Sequence, residues 1–248
     1  MKLFQKNALR IVTGADSSHA MSLMQLLSSI ARWEPGVQVT IYDLGLTGVE
    51  RANAQAVLPS ARIETFDFDA WPAYFNIRVD AGQYAWKPVI FWAELQKSDV
   101  PLVWMDAGNR LRRDMRRLRR ELRRDGFVSY ASLGTIRDWT HPAMLRRLGL
   151  PDDWDQDRRN LTGGLVAIDP RRQTARLLAS DWAHHAQDRD CIAPAGSDRQ
   201  NHRQDQALLT VLAYASGVID APTRRIMFLG RKRQEVMLQQ DVEPRGVR

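Results

Sequence analysis

Three ionisable residues, far apart in the chain, carry the strongest chemical signal: Lys87, Asp106 and Asp205. Asp106 ends the apolar run Val100-Pro101-Leu102-Val103-Trp104-Met105. Ala107 and Gly108 follow it and are small enough to let a bulky group approach the backbone. A carboxylate so placed suits a hard cation carrying a bound diphosphate, or a sugar hydroxyl. The structural alternative is an N-cap for the next helix, but that helix is predicted to begin near Arg112 to Asp114, too far on to be capped by Asp106. Asp205 lies in Asn201-His202-Arg203-Gln204-Asp205-Gln206, which opens a helix. At helical spacing it shares a face with Leu208, Leu209 and Leu212 and points inward. An inward carboxylate needs a partner or a ligand; a favourable place in the helix dipole is the competing reason for an acid there. Lys87 stands among Tyr84, Trp86, Phe91 and Trp92. Only five of the 36 basic side chains are Lys, so a retained Lys points to a compact ammonium being wanted there. The aromatics themselves read equally well as core.

The elements that must position these groups follow from hydrophobic periodicity. Strands are expected at Ala8–Thr13, Val37–Tyr42, Ala61–Phe66, Val100–Met105, Phe127–Ala131 and Leu165–Ile168. Helices are expected from the Asp16-Ser17-Ser18 cap through Ile30, over Val49–Val57, Tyr84–Gln96, the basic stretch to Arg124, Pro142–Leu148, Pro170–His185 and His202–Tyr214. Strands alternating with helices predict an α/β fold, a mostly parallel central sheet with helices on both faces. No repeat or compositional break divides the chain, so one domain over 1–230 is expected, with a polar, basic tail over 231–248.

In such a sheet ligands bind beyond the carboxyl ends of the strands. That directs attention to Gly14–His19, Asp43–Gly45 and Asp106–Asn109. The chain has neither a Gly-X-Gly-X-X-Gly turn after its first strand nor a Walker lysine loop. The Gly14–Ser18 turn still offers backbone N–H groups at a helix start, for a phosphate or nucleobase or simply as a capped turn. Asn160-Leu161-Thr162-Gly163-Gly164 precedes a strand; its glycines suit close approach of a bound group or a tight turn.

Composition excludes more than it assigns. The chain has 248 residues, 36 basic and 29 acidic, for a formal charge of +7, and 44% hydrophobic residues, which is ordinary globular material. Cys191 is the single cysteine, so no internal disulfide and no cysteine-rich zinc site is possible. The stretch Met1–Gly14 lacks a long apolar core, so a secretory signal is not expected, and a cytoplasmic setting is. Nine Arg residues between Arg110 and Arg124 accompany a stripe of Leu111, Met115, Leu118 and Leu122. That is an amphipathic surface helix, solvated or in peripheral contact with an anionic membrane. No nucleic-acid reading motif accompanies the charge. Neither a histidine metal cluster nor a Gly-X-Ser-X-Gly elbow is present in the sequence.

Taken together, Val12-Thr13-Gly14-Ala15, Tyr42-Asp43-Leu44-Gly45-Leu46, Tyr84-Ala85-Trp86-Lys87-Pro88 and Trp104-Met105-Asp106-Ala107-Gly108-Asn109 resemble segments of small glycosyltransferase-like proteins of the GT-A, nucleotide-diphospho-sugar transferase type. Leu161-Thr162-Gly163-Gly164 and His202-Arg203-Gln204-Asp205-Gln206 are similar to the glycine turn and helix-start acid of glycosyltransferase family 8. The likeness covers roughly residues 9–216 and rests on the order of the segments more than on any one of them.

The resemblance implies a GT-A-like (Rossmann-like) domain that moves a sugar from a nucleotide-sugar donor to a hydroxyl of a glycan, lipid or protein. A non-catalytic nucleotide-sugar or glycan-binding module on the same fold is the alternative. It places Thr13, Gly14, Ala15 and Asp43 at the nucleotide, and Lys87, Asp106, Ala107, Gly108 and Asn109 at the diphosphate and sugar. Asp205 falls at the reacting centre, with Gly163, Gly164 and Gln206 on the donor. GT-A enzymes usually hold Mn²⁺ or Mg²⁺ with Asp-X-Asp; here Asp106 is followed two positions later by Gly108, so the second carboxylate is missing.

Overall fold

The computed structural model describes residues 8–219 and the backbone of 238–240. Its centre is a six-stranded sheet in the order β3-β2-β1-β4-β9-β6. Those strands are β1 Arg10–Ala15, β2 Gln38–Asp43, β3 Arg62–Thr65, β4 Leu102–Met105, β6 Phe127–Val128 and β9 Leu165–Ile168. β1, β2, β3 and β4 run parallel, whereas β9 runs antiparallel to both β4 and β6. Order reverses between β1 and β4, so the crevice of a doubly wound sheet opens at their carboxyl ends. Because β9 runs backwards, its register of Leu165 opposite Met105 carries the preceding glycine turn to the same edge as Asp106.

One face of the sheet is covered by α1 Ala20–Trp33, α2 Gly48–Val57 and α4 Arg116–Asp125. The other is covered by α3 Trp86–Leu95, α6 Gln173–Ala186 and α7 Gln204–Ala215, with Met144 of the short α5 Pro142–Arg147 in the same core. Each helix turns an apolar stripe to the sheet: Leu23, Leu26, Leu27 and Ile30 of α1 are fully buried, as are Leu208 and Leu209 of α7. α2 starts on a complete capping box, Thr47 with Glu50. Small antiparallel pairs flank the sheet: β5 Asn109–Leu111 with β10 Leu238–Gln240, and β7 Ala131–Thr135 with β8 Arg159–Leu161. The expected strand Phe127–Ala131 is thus divided between two sheets. The expected boundary between residues 230 and 231 lies outside the described residues; within the expected tail, the backbone of Leu238–Gln240 pairs with β5.

The stripe of the basic stretch is buried as expected: Leu111, Met115, Leu118 and Leu122 are all at most 2% exposed. Its charge is less free than the sequence suggests. Arg116, Arg117, Arg119 and Arg124 pair with Asp114, Glu121, Glu34 and Asp125. The Arg119–Glu34 pair is bidentate, at 2.8 and 2.6 Å, and locks α4 to the end of α1.

Before α3 the chain does something its sequence does not announce. Asp80, Ala81, Gly82, Gln83 and Tyr84 all hold positive φ, from 48° to 61°, forming a left-handed turn. A non-glycine residue in that region costs about 1–2 kcal/mol, so neighbouring contacts must hold it. Trp86 Nε1 donates to Ala81 O at 3.0 Å, and the turn closes from Ala85 N to Gly82 O at 2.9 Å. A Cβ on Gly82 would fall 2.2 Å from Phe75 O, so only glycine fits. Gly82→Ala is therefore expected to lower stability by more than about 1 kcal/mol. Gly149→Ala, at similar φ but with nothing within 4 Å, should cost less. Urea unfolding of both variants checks this; equal losses would show that backbone conformation alone, and not the crowding at Phe75, is responsible.

Candidate active site

Three elements meet at the carboxyl ends of β1 and β4. Lys87 comes from the first turn of α3, Asp106 from the residue after β4, and Asp205 from the first turn of α7. Lys87 Nζ lies 3.0 Å from Asp106 Oδ1 and 3.0 Å from Asp205 Oδ2. It also reaches Gly163 O at 3.5 Å and lies 5.7 Å from the ring centroids of both Tyr84 and Trp104. Lys87 and Asp205 are buried, while 43% of the Asp106 side chain remains exposed. The cluster therefore opens to solvent through Asp106.

The surroundings explain the geometry. Trp104 Nε1 donates to Asp106 Oδ1 at 2.6 Å, fixing the carboxylate and leaving Oδ2 without a bond among the described residues. Asp106 N donates to Gly164 O at 3.0 Å, and Asn109 Nδ2 donates to the same oxygen at 2.5 Å. A Cβ on Gly163 would come 2.9 Å from Asp205 Oδ2, and one on Gly164 would come 3.3 Å from Asp106 Oδ2. Both glycines therefore make room for the carboxylates. Asp205 is held from behind by Trp182 Nε1, which donates to its carbonyl at 2.9 Å. Its Oδ2 faces Lys87 Nζ at 3.0 Å, a charge-assisted contact within the buried cluster.

Burial opposes the charge on Lys87, but Asp106 and Asp205 outweigh it and hold its pKa above the ordinary lysine value. Burial pushes Asp205 up, against the pull of Lys87, and the charge of Asp106 pushes the same way. With both carboxyls ionised, one ammonium faces two carboxylates, and the cluster carries one net negative charge. The neighbouring His202 is structural: its Nδ1 accepts from His141 N, its Nε2 meets Ile192 O at 2.9 Å, and burial lowers it to about 4.

The other sequence-predicted residues divide by exposure and bonding. Gly108 and Gln206 are partly exposed beside the cluster. Thr13 and Ala15 are buried in β1, and the Thr13 hydroxyl has no partner. A Cβ on Gly14 would press on Leu44 at 3.1 Å and Trp104 at 3.5 Å, so this glycine serves packing. Asp43 is committed to its own turn: Oδ1 accepts from Gly45 N and Leu46 N, and Oδ2 from Arg51 at 2.6 Å. These bonds give Asp43 a structural role in the turn after β2. Ala107 packs in the core, and Asn109 spends its side-chain amide on Gly164. Two residues near the site that sequence reasoning passes over are Arg199, which donates to Tyr84 OH at 2.9 Å, and Arg203, stacked 4.1 Å over Trp139.

The residues do not fit Mn²⁺ or Mg²⁺. Such ions need several oxygen ligands in near-octahedral array. Here an ammonium already stands between the two carboxylates, Gly108 offers no third, and only Asp106 Oδ2 is open. Among the described residues no group of three His, Cys, Asp or Glu side chains is arranged to hold a metal ion.

No family description matches the sequence, and no curated protein is similar to it. Solved structures are similar in fold. An active-site mutant of LgtC superposes with TM-score 0.55 and 16% identity, over 95% of this chain and 88% of that one. The galactosyltransferase LgtC with donor and acceptor sugar analogues gives 0.53 and 17%, over 95% and 87%. Mouse xyloside xylosyltransferase 1 gives 0.51 and 13%, over 86% and 83%. Core-mannan synthase A of Aspergillus fumigatus, in an Mn/GDP form, gives 0.51 and 9%, over 84% and 69%. The chain has the fold of GT-A glycosyltransferases.

Removing Lys87 should leave two carboxylates uncompensated. Lys87→Met is expected to cost about 3–5 kcal/mol at neutral pH, as for one partner of a buried ion pair. Without its ammonium, Asp205 is raised further, so the folded state binds a proton that the unfolded state releases. That stabilises the variant on the acid side and is lost as pH rises through the folded pKa. Urea unfolding should therefore show a larger deficit at pH 8 than at pH 5; an equal deficit at both would mean the two carboxylates do not depend on Lys87.

Proposed function

We propose that this protein transfers a sugar from a nucleotide-diphosphate donor to a hydroxyl, using the Lys87–Asp106–Asp205 cluster as the sugar-binding end of its site. The observation that carries the reading is the convergence of these three groups, Nζ to each carboxylate at 3.0 Å, at the strand ends where a doubly wound sheet binds ligands. The glycosyltransferase neighbours of the same fold support it.

The chemistry follows from the charge. During transfer the bond from the anomeric carbon to the diphosphate oxygen breaks, and its electron pair leaves with the diphosphate. The acceptor oxygen bonds to the anomeric carbon and its proton is released. Positive charge builds on the sugar ring and negative charge on the leaving group. A cluster with one net negative charge suits the ring: Asp106 Oδ2 accepts from sugar hydroxyls and faces the developing cation. Lys87 is the holder of this arrangement, its charge spent on Asp106 and Asp205. Asp205 sits behind Lys87 and Gly163, buried, so its part is to fix the ammonium and, through it, the orientation of Asp106. Gly108 and Gln206 line the approach to the donor.

The test is turnover of a panel of nucleotide sugars, as hydrolysis or transfer to simple hydroxyl acceptors, with chelator present. Wild type is expected to cleave at least one donor. Asp106→Asn, which keeps the shape and removes the charge, should fold normally and lose roughly 10²-fold in kcat. Binding of nucleotide sugars without any cleavage would favour the non-catalytic module, and undiminished turnover by Asp106→Asn would remove that residue from the site.

A further inference from the structure

The net negative charge of the Lys87 cluster leaves a requirement unmet. A departing diphosphate gains negative charge and needs cations, and Lys87 is already committed. Beside the cluster stand two arginines with no carboxylate partner among the described residues, in a chain that pairs Arg51, Arg119 and Arg171 closely with acids. Arg199 donates from Nη1 to Tyr84 OH at 2.9 Å, with its guanidinium carbon 5.8 Å from that ring's centroid. The same ring lies 5.7 Å from Lys87 Nζ, so Tyr84 links the arginine to the cluster. Arg203, two residues before Asp205, lies 4.1 Å over the Trp139 ring and is half-buried.

The two guanidinium groups feel each other: burial and the like charge of Arg199 both disfavour the charge on Arg203. Arg203 is partly buried and Arg199 is exposed; two like charges held near one another on aromatic faces, neither paired with a carboxylate among the described residues, are well placed to share an anion arriving from solvent. Guanidinium groups match phosphate oxygens in bidentate geometry. We propose that Arg199 and Arg203 form a clamp for the donor's diphosphate and neutralise the leaving group without a divalent metal. This rests on the transferase reading above and deepens it. It also accounts for the misfit between the site and Mn²⁺ or Mg²⁺: the stabilising positive charge comes from side chains fixed on Tyr84 and Trp139. As the bond to the sugar breaks, the added negative charge on the diphosphate is met by donors already in place, without reorganisation.

Inorganic pyrophosphate is the probe, titrated calorimetrically in EDTA. Wild type is expected to bind it, and Arg199→Gln/Arg203→Gln to bind at least tenfold more weakly, with partial recovery in Arg199→Lys/Arg203→Lys. Unfolding curves of the variants establish that they are folded. Equal affinity in the Gln double variant, binding by wild type only when Mn²⁺ or Mg²⁺ is added, or no binding at all, would each overturn the clamp. Nucleotide-sugar cleavage in EDTA is read separately. Cleavage that the double variant performs as wild type does refutes the clamp and spares the transferase reading. Loss of pyrophosphate binding in that variant, with no donor cleaved by wild type, refutes the transferase reading and spares the anion site.

Discussion

An ammonium buried between two carboxylates is the constraint around which the rest of this structure is arranged. Taking three charges out of water is expensive, and it is tolerated only where geometry lets each compensate the others. Lys87 therefore has to leave α3 at one angle, Asp106 has to stop β4 at one residue, and Asp205 has to open α7 with its side chain inward. Gly163 and Gly164 leave the space that this convergence needs, and the reversed strand β9 delivers them to it. Trp104 and Trp182 serve the same end, since each gives its indole N–H to one of the two aspartates. The strained left-handed turn before α3 belongs to the same arrangement, because it sets Tyr84 against both Lys87 and Arg199.

On the proposed reading, this arrangement separates two electrostatic tasks that a metal ion would perform together. The cluster would present negative charge, through the half-exposed Asp106, to the part of a substrate that turns cationic, while positive charge for an anionic leaving group would come from Arg199 and Arg203. In the structure itself, Gly108 offers no carboxylate beside Asp106, and Asp106 has Lys87 as its counter-ion.

Much of this was legible in the sequence because it depends on strand ends. Apolar runs such as Val100–Met105 and Leu165–Ile168 locate the sheet, and the polar residues beyond Met105 locate the crevice. The inward face of α7 singled out Asp205, and the scarcity of Lys singled out Lys87. What was not legible has physical reasons. The run Leu165–Ile168 has no polarity of its own, so that it runs antiparallel appears only from its pairing with β4 and β6. Asp43 is an acid at a strand end like Asp106, but nearby amide groups and Arg51 satisfy it locally, a difference that spacing does not encode. The turn Asp80–Tyr84 carries one glycine among five left-handed residues, so no turn rule flags it. Arg199 sits in a loop without periodicity and gains meaning only through Tyr84, distant in the chain. The pairing of Arg119 with Glu34 is likewise invisible to spacing, because Glu34 follows a helix far away in the chain.

The central claim, that Lys87 and Asp205 exist as a mutually dependent charge pair within one site, is tested most directly by a double-mutant cycle on stability at neutral pH. Lys87→Met, Asp205→Asn and the combined variant would be compared by urea unfolding. Mutual compensation requires strong coupling: Lys87→Met leaves Asp205 buried without its counter-ion, Asp205→Asn leaves Lys87 with Asp106 alone, and the double variant removes the stranded charge and should be more stable than Lys87→Met alone. Losses that simply add, within about 0.5 kcal/mol, would contradict the pairing and with it the site built upon it.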